Sequence, residues 1–78
     1  MKLSDLPVFA PATVVDVLDT ISVDTISRRL RELGFVKGEP VKVVGRGVFG
    51  GDPLLVQIGF TRFALRRSEA ARIAVECL

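Results

Sequence analysis

Three carboxylates and one thiol are the side chains that could bind a metal ion or react. Asp16, Asp19 and Asp24 lie close together in the sequence, and carboxylates suit hard cations. The chain has no histidine, and its one cysteine, Cys77, is distant in sequence from these acids. We therefore expect these acids to face solvent or cap a helix, and we predict no metal site and no cofactor. Without a histidine base we also predict no catalytic cysteine or serine, so the chain is expected not to be an enzyme.

A glycine-rich segment, Gly45-Arg46-Gly47-Val48-Phe49-Gly50, matches the spacing of dinucleotide-binding loops. In those loops the last glycine begins a helix whose amino terminus meets the pyrophosphate. Here Pro53 and the apolar run after it indicate a strand instead. We therefore predict a flexible loop from Gly45 to Pro53 and no nucleotide site.

Arginine supplies most of the positive charge, and the formal net charge is +2. That excess is small compared with the dense basic patches of many nucleic-acid-binding proteins. Single-strand binding also uses exposed aromatic side chains, whereas Phe35, Phe60 and Phe63 lie in apolar patterns that predict a core. Phe49 is the phenylalanine least suited to a core. No nucleic-acid partner is expected, and a small basic barrel that binds nucleic acid is kept as an alternative.

One amphipathic helix is predicted over about residues 24–33. Ile26, Leu30 and Leu33 are spaced so that they share one face, and this apolar stripe is expected to pack on the rest of the domain. A helix this short is barely stable alone in water, so packing must hold it. Its candidate caps are Asp24 or Ser22 at the amino end and Gly34 at the carboxyl end.

Five short strands are predicted around this helix, from β-branched and apolar runs separated by turn residues. Tight connections favour antiparallel pairing, and closure into a barrel would leave few exposed edges. The predicted fold is therefore mainly β, a small five-stranded SH3-like barrel with one inserted helix, in a single domain of residues 1–78. A short helical turn capped by Ser68 is expected near residues 68–71. The predicted strands are Thr13 to Leu18, Val41 to Val44, Leu54 to Ile58, Phe60 to Leu65, and Ile73 to Val75 continuing to Glu76.

Three segments in order resemble one known family. They are the helix with its following turn (Arg29-Leu30 through Leu33-Gly34 to Gly38), the Gly51-Asp52-Pro53 loop, and Ala64-Leu65-Arg66 followed by Glu69-Ala70. They are similar to the RL-x-x-LG-x-x-x-G, G-D-P and A-L-R-x-x-E-A segments of the FeoA family. Members often have a proline before the G-D-P loop, and this chain has glycines there instead.

The resemblance implies an SH3-like barrel with a helical insertion. It also implies a cytoplasmic accessory protein of ferrous-iron uptake that binds the FeoB-type membrane transporter, which carries a cytosolic GTPase domain. Such domains are similar to the carboxyl-terminal domain of iron-dependent repressors, which favours a docking role. No membrane insertion is expected, homo-oligomerisation is compatible with the sequence, and a ferrous-iron-sensing domain is a further alternative.

One group of residues is predicted to bind a partner, and a second group is predicted to stabilise the fold. The first is a partner-binding group in which an exposed aromatic side chain is flanked by guanidinium groups. The second group holds the core and the turns together. The partner-binding residues are Arg28, Arg31, Arg46 and Phe49; the core and turn residues are Ile26, Leu30, Leu33, Gly34, Gly38, Asp52 and Pro53.

Overall fold

The computed structural model of the chain describes residues 1–19 and 24–78. It confirms the predicted mainly-β fold, with a five-stranded sheet, one main helix and one short helix. The helices are α1 (Thr25–Glu32) and α2 (Arg67–Ala70), and a 3₁₀ turn covers Leu3–Asp5. The strands are β1 (Ala12–Val17), β2 (Pro40–Gly47), β3 (Gly51–Ile58), β4 (Thr61–Leu65) and β5 (Ile73–Cys77).

The sheet has the strand order β4-β3-β2-β1-β5, and every pair in it is antiparallel. β2 pairs with β1 only near its start, where Val41 lies opposite Ala12. Farther along β2, the segment before β1 pairs with the strand instead: the amide of Phe9 donates to the carbonyl of Val43 at 2.7 Å. The amino-terminal residues therefore line part of the β2 edge and help to close the barrel.

The core is formed by alternate residues of the strands, as expected for a sheet with one buried face. Val41 and Val43 of β2 and Leu54, Val56 and Ile58 of β3 all point inward. Leu3 in the 3₁₀ turn and Leu6 just after it are both fully buried. The other buried apolar residues of the core are Ala12, Val14, Val17, Leu30, Phe35, Leu65, Ala70, Ile73 and Val75.

Helix α1 packs through a face that differs from the predicted one only in its first turn. Leu30 is fully buried and Leu33 is partly buried against the core, but Ile26 is 36% exposed. Ser27 is the residue buried in the first turn, and its hydroxyl donates to the carbonyl of Leu18 at 2.9 Å. Ile26 therefore lies at the edge of the contact, and the prediction that Ile26 is a core residue was wrong.

The ends of α1 follow ordinary capping chemistry. Oδ1 of Asp24 accepts hydrogen bonds from the amides of Ile26 and Ser27, both at 3.1 Å, so Asp24 is the N-cap. Ser22, the other candidate cap, lies outside the described residues. At the carboxyl end, Gly34 has a φ of 113°, a value that favours glycine, and Gly38 in the following turn has a φ of 91°.

Two predictions about the second half of the chain were wrong. The glycine-rich segment is not a long loop: β2 continues to Gly47 and β3 begins at Gly51, so only a tight turn separates them. Ser68 does not cap α2 but lies inside it. The amides at the start of α2 are bound instead by carboxylates, because Glu69 accepts from the amide of Arg66 and Asp52 from that of Arg67, both at 2.9 Å.

Candidate functional site

The turn between β2 and β3 presents apolar side chains to solvent. We call Val48, Phe49 and Gly50 the hairpin tip; Phe49 is 82% exposed and Val48 is more exposed still. The two strands approach each other closely beside the tip. A Cβ added to Gly47 would collide with the backbone of Asp52 on the facing strand. The three glycines of the dinucleotide-like motif therefore serve a hairpin, and β3 follows them in place of the helix that such a site requires.

Two of the predicted partner-binding arginines form hydrogen bonds within the domain. Nη2 of Arg31 donates to the carbonyl of Val17 at 2.6 Å, and its Nη1 lies 3.2 Å from Oδ1 of Asp19. Nη2 of Arg46 donates to the carbonyl of Leu6 at 2.6 Å. Both side chains thus connect segments that are distant in the sequence, and fewer of their N–H groups are left to bind a partner.

The four predicted partner-binding residues lie on two separate elements. Arg46 and Phe49 belong to the β2–β3 hairpin, and Arg28 and Arg31 belong to α1. Arg28 and Phe49 are both exposed. Their role in partner binding stays a prediction.

A shallow cavity of about 400 Å³ lies beside the hairpin tip. Phe49, Asp52, Pro53 and Arg66 line it. Asp52 and Pro53 were predicted among the core and turn residues; both lie within β3, and the carboxylate of Asp52 accepts from the first amide of α2. Arg66 was not singled out from the sequence, because only the pairing of β3 with β4 brings it next to the tip.

A second cavity, of about 310 Å³, lies at the opposite end of β3. Pro11, Pro40, Phe60 and Leu78 give it apolar walls, and Lys42 adds a cation. Phe60 is completely exposed, so the prediction that it belongs to the core was wrong. It occupies the second position of the two-residue turn between β3 and β4, where a side chain points away from the sheet.

The three acids near α1 are all engaged within the fold. Asp24 caps α1 and forms an ion pair with Arg72, Asp19 pairs with Arg31, and Asp16 accepts from the amide of its neighbour Val17. Within residues 1–19 and 24–78, no group of three or more potential ligand side chains is placed to hold a metal ion. Cys77 is exposed, and its sulfur lies 3.5 Å from that of Met1.

The FeoA domain matches residues 1–77. The chain belongs to the FeoA family. That family is associated with ferrous iron transport, as the resemblance of the three sequence segments predicted.

Solved FeoA structures share the fold. The zinc-complexed FeoA of Stenotrophomonas maltophilia, described as a prokaryotic SH3 domain protein, is 60% identical with a TM-score of 0.90; the match covers 97% of this chain and 89% of that one. The FeoA protein of Chlorobium tepidum is 37% identical with a TM-score of 0.83, over 100% of this chain and 70% of that one. The SH3-like fold is thereby confirmed for this FeoA-family chain.

A more distant protein shares the fold alone. The IdeR protein of T. acidophilum is 18% identical with a TM-score of 0.77, and the match covers 99% of this chain and 33% of that one. Among curated protein sequences, none matches this FeoA-family chain significantly. In the described ranges, none of the helices is both long enough and apolar enough to span a membrane.

Proposed function

We propose that this FeoA-family chain is an accessory protein of ferrous-iron uptake that acts by binding a FeoB-type membrane transporter at its cytoplasmic side. In this proposal the 78 residues work as one domain, and the domain binds without catalysing a reaction. The observation that carries the proposal is the FeoA match over residues 1–77. The Stenotrophomonas relative, 60% identical, is itself named as a candidate activating factor of bacterial ferrous iron transport.

Exposed apolar side chains support a binding role. A small domain must bury most of its apolar surface to be stable, yet Val48, Phe49 and Phe60 stay in solvent at the two ends of β3. Aromatic side chains and arginines are enriched at the energetic centres of protein interfaces. Phe49 lies on the same hairpin as Arg46, and it lines one cavity together with Arg66.

Co-purification with the transporter tests the proposal. The wild-type chain should be retained by a detergent-solubilised, affinity-tagged FeoB-type transporter. Phe49→Ser should reduce retention, because it removes the exposed aromatic side chain at the hairpin tip. Its matched control is Val36→Ser, which removes another exposed apolar side chain, in the turn after α1, and should bind like wild type.

Both variants should unfold within about 0.5 kcal/mol of wild type, since neither residue is buried. Loss of retention with unchanged stability supports the docking role of Phe49. A wild-type chain that is not retained by the transporter or by any of its cytosolic portions contradicts the proposed function.

A further inference from the structure

Strand β4 forms an open edge of the sheet. It is the outermost strand and pairs with β3 alone. In the described part of the chain, no backbone group of Thr61–Leu65 forms a hydrogen bond beyond the one ladder that it shares with β3. An unpaired row of backbone amides and carbonyls is a template for another extended chain.

The register identifies the backbone groups that face outward. A two-residue turn joins β3 to β4 and places Ile58 opposite Thr61, so this pair exchanges hydrogen bonds and the pattern then alternates. Thr61, Phe63 and Leu65 consequently bond to β3. The amides and carbonyls of Arg62 and Ala64 point away from the sheet, and both residues are exposed.

The features that usually block an edge are few here. The β3–β4 ladder runs without a bulge over its whole length, and β4 contains no proline. One charged residue, Arg62, lies on the edge, and its Nε donates to the neutral side chain of Gln57 at 3.1 Å. This charge selects among ligands but leaves the backbone groups accessible.

The charge beside the edge is positive. Arg66 continues the extended backbone after β4, with φ −68° and ψ 150°, so it falls on the same alternation as Arg62 and Ala64. The nearest acids at this end are already engaged: Asp52 accepts from the amide of Arg67, and Glu69 accepts from the amide of Arg66 and pairs with Arg29. The edge therefore offers backbone hydrogen bonds between two exposed guanidinium groups.

We propose that the outer edge of β4 binds an extended acidic segment of a protein partner, which adds to the sheet as a further strand. The backbone of the segment would bond to the amides and carbonyls of Arg62 and Ala64. Carboxylates at alternate positions of the segment would lie beside Arg62 and Arg66. This surface differs from the hairpin tip and the α1 residues proposed from the sequence.

A second copy of the chain fits this edge poorly. Antiparallel pairing of two β4 strands about Phe63 would place each Arg62 next to the other copy's Ala64. Arg62 of one copy would then lie diagonally from Arg62 and Arg66 of the other copy, within reach of these long side chains, and like charges at that separation repel each other. An acidic segment is therefore the ligand whose charge complements the edge.

The inference rests on the proposed function only in taking the ligand to be a segment of a protein. Binding of a synthetic peptide tests it separately from transporter binding. If the peptide binds but no transporter is retained, the proposed function fails and the edge stands. If the transporter is retained equally well by wild type and by Ala64→Pro, the assignment of this edge fails and the proposed function stands.

The probe is a short blocked peptide of alternating glutamate and valine, titrated into the full chain by calorimetry. We expect saturable binding. No binding should occur with lysine in place of glutamate, or with N-methyl groups on the amides of the peptide. Ala64→Pro removes an outward amide without touching the ladder to β3, and it should weaken binding about tenfold or more.

Two further measurements keep the test decisive if Ala64→Pro does not fold. Arg62→Glu retains the outward amide but reverses the charge, and it should abolish binding. Lys37→Glu, which makes the same charge reversal in the exposed turn after α1, should bind like wild type. Equal binding of the N-methylated peptide, equal binding by Arg62→Glu, or a β4-linked dimer of the free chain that the peptide does not disrupt would each overturn the proposal.

Discussion

The outer edges of the two outermost strands, β5 and β4, differ in how much backbone covers them. At β5, Lys2 pairs with Ala74 and the carbonyl of Met1 accepts from the amide of Val75 at 2.8 Å, so backbone covers part of that edge. The 3₁₀ turn that follows buries Leu3 completely. At β4, by contrast, the outward amides and carbonyls have no such cover among the described residues.

The arginines differ in the same way. Near α1 and β5, Arg29, Arg31 and Arg72 form ion pairs with Glu69, Asp19 and Asp24. At β4, Arg62 donates to the uncharged side chain of Gln57 and forms no ion pair within residues 1–19 and 24–78. Arginines that look alike in the sequence thus have different surroundings: Arg29, Arg31 and Arg72 form ion pairs within the barrel, whereas Arg62 lies beside an open strand edge.

The largest effect on stability is expected for a substitution in α1, the helix that packs on the core. Leu30→Ala should lower the free energy of unfolding by about 2–5 kcal/mol, since Leu30 is fully buried and its truncation leaves a cavity. Ile26→Ala on the same helix should cost less than about 1 kcal/mol, because Ile26 lies at the edge of the contact. Urea denaturation measures both, and equal losses would show that α1 does not pack as described.

A smaller effect is expected in the hairpin that leads to the open side. Gly47→Ala should destabilise the chain by about 1–3 kcal/mol, because the new Cβ would collide with the backbone of Asp52. Gly45→Ala is the matched control: its Cβ would lie 3.6 Å from that of Leu55, an ordinary contact. Thermal unfolding should separate the two variants, and a Gly47→Ala chain as stable as Gly45→Ala would contradict the tight hairpin.

The smallest effect concerns the contact that ties this hairpin to α2. Asp52→Ala should cost about 0.5–2 kcal/mol, since it leaves the first amide of α2 without its carboxylate acceptor. Asp52→Asn keeps an acceptor oxygen and should recover most of the loss. Chemical denaturation of the three chains checks this, and identical midpoints for wild type and Asp52→Ala would exclude a structural role for the contact.

Much of the fold was predictable because its signals are local. The β-branched runs predicted all five strands, and the spacing of Ile26, Leu30 and Leu33 predicted α1 with Asp24 or Ser22 as its cap, of which Asp24 is the N-cap in the structure. Glycines mark turns but do not give their lengths, so the segment around Gly47 was predicted as a loop although most of it belongs to two strands. Phe60 was misplaced for a similar reason, because a two-residue turn reverses the chain just before β4.

The candidate site depended on contacts between distant residues. Arg46 binds the carbonyl of Leu6, and Arg31 that of Val17, and no local pattern shows that these guanidinium groups are engaged. Ser27, and not Ile26, lies in the buried face of α1, and its hydroxyl donates to the carbonyl of Leu18, nine residues earlier. The open edge of β4 follows from the strand order, which requires the paired sheet.

Amide hydrogen exchange measured by NMR tests the contrast between the two edges most directly. In the free chain, the amides of Phe63 and Val75 should be protected, since both are bonded, and those of Arg62 and Ala64 should exchange rapidly. Adding the alternating glutamate–valine peptide should slow exchange at Arg62 and Ala64 and leave Val75 unchanged. Protection of Ala64 equal to that of Phe63 in the free chain, or no slowing when the peptide is present, would contradict an open edge that accepts a partner strand.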